Sequence, residues 1–287
     1  MRRVVVRVGE LLLVCGILAA GFLLFKELRE QRELKESVQE LSDQFTGKTP
    51  VPEKIVETVE VMEEDPVITE YPQTEEEEKE TVVLNIAADF PSLKEVNPEI
   101  VGWIRVPGTT IDQPILQATD NNKYLRADFN GNYSRYGSVF MDYHVQLPDS
   151  KGFIMYGHNM GKGKTVMFSE LLNYKSKDYC YENPEIYFAV DDGTRNGREG
   201  VWKVFSVVDV DCTKKVVVEN YYQSAFDSDA AYNTYIRNLY RASLYETGES
   251  GIPESFIALS TCSHSSGSGN MRLVVYAGLF PEYQAGS

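Results

Sequence analysis

Cys262 and Arg272 of this 287-residue chain are of types that, joined by a base, could carry out nucleophilic chemistry at a carbonyl. The thiol ends an apolar run, Phe256-Ile257-Ala258-Leu259-Ser260-Thr261, and the arginine opens a second, Leu273-Val274-Val275-Tyr276-Ala277, across a polar Ser/Gly-rich loop. Such β-branched, apolar runs read as strands. If the two pair as neighbours, thiol and guanidinium share one rim of a sheet, where side chains meet substrate on a rigid scaffold. A cationic neighbour lowers a thiol pKa and can stabilise an oxyanion later in the reaction. The base must come from His144, His158 or His264, the chain's three histidines. His158 follows the apolar run Phe153-Ile154-Met155-Tyr156 and Gly157, a residue that permits a sharp turn, so it also stands at a strand's end. His264 is nearer Cys262 in sequence, but its polar, glycine-containing loop fixes no direction for the ring. His144, in Asp142-Tyr143-His144, reads as a surface-loop residue.

The elements that must hold these groups are short. Strands are expected at Gly102–Val106, Ile115–Leu116, Ser138–Met141, Gly152–Tyr156, Glu185–Val190, Gly200–Val210, Lys215–Val218, Phe256–Thr261 and Met271–Leu279, punctuated by Gly, Pro, Asn and Asp. So many short strands point to a sandwich or a closed barrel. Ala225, Tyr232, Tyr235, Ile236, Leu239, Tyr240 and Leu244 recur at helical spacing, which predicts a helix within Ala225–Tyr245, just before the cysteine strand. One or two helical turns are expected on either side of Pro91.

Leu259-Ser260-Thr261-Cys262 with Arg272 downstream, and Tyr156-Gly157-His158-Asn159-Met160 upstream, resemble the sortases, and specifically the class B sortases. The segments Asn97 to Thr109 and Tyr136 to Tyr143 are similar to early strands of the same family, and the likeness runs from about Phe90 to Phe280. The resemblance implies a mostly-β fold: a closed eight-stranded barrel with N-terminal helices and a helix inserted before the cysteine strand, over 82–287. It implies a cysteine transpeptidase in which Cys262, His158 and Arg272 are catalytic and Ser260, Thr261 and Asn159 bind substrate. Ser260 lies on the same strand face as Cys262, whereas Thr261 points the other way. The implied substrates are secreted proteins with a C-terminal sorting motif, cleaved through a thioacyl intermediate. The acyl acceptor would be an amine of a cell-wall peptidoglycan precursor or of a pilin lysine. A cysteine peptidase without transpeptidation and a non-catalytic surface scaffold remain alternative readings. No cofactor and no metal are expected, since the histidines are isolated and no Cys-x-x-Cys occurs.

Charge narrows the partners. With 28 Lys and Arg against 43 Asp and Glu, the net charge of −15 argues against nucleic acid, which calls for a basic face. Twelve of the acidic residues fall within Glu53 to Glu80, beside only two lysines, so much of this charge belongs to an extended, self-repelling spacer. Cys180 and Cys212 could pair, but two structural thiols with no disulfide between them are the better reading, and Cys15 lies in an apolar run as a small hydrophobe. At the amino terminus the apolar stretch over 8–25 predicts an uncleaved transmembrane signal anchor, preferred over a cleaved signal peptide because no small-x-small site follows Phe25. Residues 1–7 would then be a cytoplasmic tail. Basic residues flank the stretch on both sides, so orientation follows from the family resemblance, which puts the enzyme outside a single-pass membrane protein. Within 26–81, a helix with a narrow stripe of Leu28, Leu34, Val38, Leu41 and Phe45 reads as a stalk ahead of the spacer.

Overall fold

The computed structural model describes residues 2–46, 86–161, 163–193, 197–213, 220–262 and 270–280. Eight strands among them close into a barrel: β1 (Ile100–Arg105), β2 (Asp112–Leu116), β3 (Phe140–Met141), β4 (Gly152–Tyr156), β5 (Glu185–Val190), β6 (Arg198–Asp211), β7 (Ser255–Cys262) and β8 (Met271–Leu279). Around the barrel they run β1-β2-β3-β4-β7-β8-β6-β5. The β2–β3 and β4–β7 pairs are parallel and the others antiparallel. The closed eight-stranded barrel expected from the resemblance is the observed fold. The expected strand at Lys215–Val218 lies outside the described residues.

Barrel closure explains why the strands are apolar on both faces. Phe256 to Leu259 of β7 are buried without interruption, because one face fills the barrel and the other is covered. Part of that cover is α4 (Asp229–Ala242), the helix predicted before the cysteine strand. Ser228 caps it by accepting the Ala231 amide, satisfying a donor that the first turn leaves orphaned. Its Tyr232, Tyr235, Ile236 and Leu239, spaced by three and four, make one buried face. The Phe256 ring packs among Phe226, Tyr232, Tyr235 and Tyr276. Burying such a ring contributes about 1.5–3 kcal/mol, so α4 and β7 fix one another. The helix α2 (Phe90–Val96) has Pro91 in its first turn and is capped by Asp89, which accepts from the Ser92 amide and hydroxyl. A third short helix, α3 (Lys177–Glu182), and a 3₁₀ segment, Ser169–Lys175, connect β4 to β5.

The amino-terminal helix α1 (Arg2–Phe45) is continuous. It overturns the expected membrane span over residues 8–25, and with it the single-pass membrane localisation with an extracellular enzyme. Among the described residues, no helix is long and apolar enough to cross a membrane. The uncharged stretch of this helix, Leu11 to Phe25, rises about 22 Å at about 1.5 Å per residue, against a hydrocarbon core of about 30 Å. From Lys26 the same helix carries the ion pairs Lys26–Glu30 and Arg29–Glu33. Its apolar stripe does not serve a free stalk either. Val38 and Leu41 are buried and Leu34 and Phe45 pack beside them, in a second core with Phe90, Trp103 and Tyr124; only Leu28 of the stripe is exposed. Polar contacts fix the register of this packing. Asp112 accepts from the Ser42 hydroxyl at 3.0 Å and the Trp103 indole at 2.6 Å, and pairs with Arg105 at 3.2 Å. Cys180 and Cys212 are thiols with no disulfide between them, as the preferred sequence reading has it.

Candidate active site

Two registers bring the three candidate catalytic residues into one row at the barrel rim. Along β4 and β7 the parallel partners run from Gly152 with Phe256 to Tyr156 with Ser260 at a constant offset. Two residues further on, the same offset meets His158 and Cys262. Across β7 and β8 the antiparallel register partners Cys262 with Arg272 directly. Neighbouring strands lie about 4.8 Å apart, so imidazole, thiol and guanidinium are carried by three adjacent chain segments at one level.

The turn that holds His158 is pinned to β7 by two bonds. The Gly157 amide donates to the Ser260 carbonyl at 3.2 Å, and the Thr261 hydroxyl donates to the Gly157 carbonyl at 2.8 Å. The sequence suggests that Gly157 supplies conformational freedom, but its backbone is not in the left-handed region. It is needed for close approach, since a Cβ there would stand 2.6 Å from the Phe168 ring. His158 is partly exposed, and its Nε2 lies 2.9 Å from the Leu125 carbonyl. A carbonyl only accepts, so Nε2 carries a proton and Nδ1 is the ring position left to exchange one.

Leu125 ends a 3₁₀ turn, Lys123–Leu125, on which the buried Tyr124 anchors through Glu99 and Asn97. Gly137 closes this support from below. With φ +61, and with an added Cβ only 2.4 Å from the Tyr124 carbonyl, that position admits no other residue without strain.

The three candidate substrate-binding residues are placed differently. Ser260 is buried and its hydroxyl is bonded to the Tyr222 hydroxyl at 2.9 Å. Thr261 is 2% exposed, with its hydroxyl held by Gly157. Asn159 accepts the Gly161 amide at 2.9 Å and bridges to Met167, which makes it the first rung of the hairpin after His158. Among the described residues, Arg272 donates to the Met271 carbonyl at 3.4 Å, and its charge is felt by the Tyr222 phenol.

Beside the row stands a wall of aromatic and acidic residues that the sequence reading misses. The Tyr156 and Tyr222 rings lie 6.0 Å apart, and the Tyr156 hydroxyl donates to Asp142 at 2.8 Å. Burial and the Asp142 charge push the Tyr156 phenol far up, so it remains a protonated donor at neutral pH. Asp142 also accepts from the His144 amide at 2.9 Å and from Asn121 at 3.0 Å, and its carboxylate lies 2.8 Å from the His144 ring. Tyr156 could have been singled out because, two residues before His158, it shares that residue's face of an extended chain. Asp142 gives no comparable sign.

Burial raises the Asp142 carboxyl, but the His144 amide, the Tyr156 hydroxyl, the His144 ring and the Asn121 amide outweigh it and hold the group below the ordinary carboxylate range. A carboxyl lowered on folding stabilises the native state above its unfolded value of about 3.9, and that contribution is lost as pH falls through the lower folded value. In urea unfolding between about pH 6 and pH 2, the wild type should therefore lose more stability below about pH 4 than Asp142→Asn. Parallel curves would remove Asp142 from the acid response.

Comparison with known proteins identifies the class to which this closed barrel belongs. The sortase-domain family profile matches residues 104–280. Sortase B of Staphylococcus aureus is 30% identical over 195 residues, covering 67% of this chain and 75% of that protein. Sortase B of Listeria monocytogenes is 29% identical over 191 residues, 65% of this chain and 72% of that protein. Among solved structures, sortase B from Bacillus anthracis superposes with a TM-score of 0.62 at 27% identity, over 88% of this chain and 99% of that one. The S. aureus sortase B–substrate complex gives 0.57 at 29% identity, over 66% and 83%. The chain belongs to the sortase family, as a cysteine transpeptidase of class B.

Proposed function

We propose that Cys262 is the nucleophile, His158 the acid and base, and Arg272 the oxyanion and backbone holder of this transpeptidase. The observation that carries the assignment is the shared row: β7 and β8 partner Cys262 with Arg272, and the β4–β7 offset leads His158 to Cys262. The Cys262 thiolate attacks the scissile carbonyl, and the developing O⁻ is met by the guanidinium, whose planar fork of donors suits it. As the C–N bond breaks, the imidazolium protonates the departing amine, leaving a thioester and a neutral ring. An incoming amine then attacks the thioester, His158 takes its proton, and the C–S bond breaks to return the thiolate. The Leu125 carbonyl supports both halves, because it keeps one tautomer and steadies the charged ring.

The acyl donor in this reading is a secreted protein with a C-terminal sorting motif. The acceptor is an amine of a peptidoglycan precursor or of a pilin lysine. A sortase B has been crystallised with triglycine and the S. aureus enzyme with substrate, which favours an oligoglycine-like amine here too. The test is mass spectrometry of the full chain with a library of sorting peptides, with and without triglycine. A peptide that gives an acyl adduct on Cys262 and then a triglycine-ligated product is expected. Hydrolysis alone, unaffected by amines, would instead mark a peptidase.

A further inference from the structure

We infer that α1 clamps the hairpin that begins at His158, and that Glu27 and Lys164 are positioning residues for the acid/base; this rests on the role proposed for His158. The segment from His158 to Phe168 folds back on itself. Its base is closed by the Phe168 amide donating to the His158 carbonyl at 3.0 Å, followed by the Asn159–Met167 bridge. Ser169 closes it again, accepting from the Met160 amide and donating to the Val166 carbonyl, both at 2.8 Å. A hairpin joined to the barrel at one end rocks about that end unless its tip is held. Here the tip is held by α1 and by Thr110, whose hydroxyl donates to the Thr165 carbonyl at 2.5 Å. Lys164 pairs with Glu27 at 3.0 Å, and Lys35 donates to the Thr165 hydroxyl at 2.7 Å.

Glu27 and Lys35 are about two helical turns apart and so share one face of α1. That face is itself immobilised further along, where Val38 and Leu41 are buried and Ser42 bonds to Asp112. Next to Glu27, the Tyr136 hydroxyl donates to the Glu27 carbonyl at 3.5 Å. The path from the packed half of the helix through the hairpin tip to the His158 backbone is therefore continuous. Glu27 reaches the hairpin through its ion pair with Lys164, and that is the path by which it acts on His158. A small displacement of an acid/base group lowers turnover without changing ground-state affinity, because the proton transfer it serves occurs in the transition state.

The test is steady-state kinetics on the full chain with Glu27→Ala, Lys164→Ala, the double variant and the charge swap Glu27→Lys with Lys164→Glu. Each single variant should lower kcat about tenfold at unchanged peptide KM, the double variant should be no worse than either single, and the swap should recover most of the loss. A Glu27→Ala enzyme within about twofold of wild type, or losses that multiply in the double variant, would overturn the link between the clamp and the acid/base. Amide hydrogen exchange at Met160 and Phe168 is read in the same variants and needs no catalytic role for His158. Faster exchange with normal kcat would keep the clamp and sink its link to the base. Unchanged exchange would overturn the clamp itself.

Discussion

Replacing Cys262 by alanine should lower kcat/KM for a sorting peptide by about 10⁴-fold or more, the largest loss expected for any single change in this chain. The substitution removes the only atom proposed to bond the acyl group, so neither His158 nor Arg272 can compensate. Water activated by His158 remains as a weak nucleophile, and the guanidinium can still polarise the carbonyl, which is why the residual rate need not be zero. The backbone rung between Cys262 and Arg272 is made by amides and carbonyls that alanine retains. Thermal unfolding should therefore be close to that of the wild type. Mass spectrometry supplies the second reading: the wild type should gain the mass of the acyl fragment, and Cys262→Ala should not. Cleavage that survives in Cys262→Ala, or an adduct that forms elsewhere, would remove Cys262 as nucleophile and return attention to Cys212, the partly exposed thiol just after β6.

Much of this site is legible in the sequence because its geometry is set by strand register. The runs ending at Cys262 and Tyr156, and the one opening near Arg272, are continuous, apolar and β-branched, and buried strands must look like that in a barrel covered on its outside. The helix Asp229–Ala242 is equally plain, since its four buried residues fall at spacings of three and four. Shorter elements carry no such pattern. The 3₁₀ segment Ser169–Lys175 and α3 cover too few turns for a period to emerge, and Ser176, which caps α3 by accepting the Tyr179 amide, looks like any loop serine until the helix is known. The expected strand Ser138–Met141 shrinks to two residues, because the Ser138 amide and hydroxyl are taken by the Tyr124 and Ala127 carbonyls. The stripe on α1 is visible in the sequence, but a stripe does not identify what covers it; its partner is the chain's own barrel, with Asp112 setting the register. The expected membrane span rests on hydropathy over residues 8–25, whereas the uncharged run of the described helix, Leu11 to Phe25, is short and has charges on both sides. The wall made by Tyr156, Tyr222 and Asp142 is hidden for another reason. Its members are far apart in sequence, and a tyrosine within an apolar run looks like core.

His158→Ala should lower kcat by about 10³-fold, within the range expected for general acid–base catalysis, whereas His264→Ala should leave most activity in place. The two rings compete for one role, and the argument for His158 is positional. Its Nε2 is committed to the Leu125 carbonyl, which fixes the tautomer and directs Nδ1 away from that bond. The carbonyl belongs to a turn anchored by the buried Tyr124, so the acceptor is as rigid as the barrel. The turn itself is latched to β7 through Gly157 and Thr261, one residue from the proposed nucleophile. Loss of the imidazole should impair leaving-group protonation and amine deprotonation together, and an amine with a lower pKa should react with the thioester better in the variant than triglycine does. The pH dependence gives an independent reading. In the wild type, kcat/KM should follow a bell set by the Cys262–His158 pair, and in His158→Ala the limb belonging to the imidazole should disappear. His264→Ala should keep both limbs. If instead His264→Ala flattened the profile and His158→Ala preserved it, the base would sit in the loop between β7 and β8. The hydrogen bond to Leu125 would then only hold that part of the rim together.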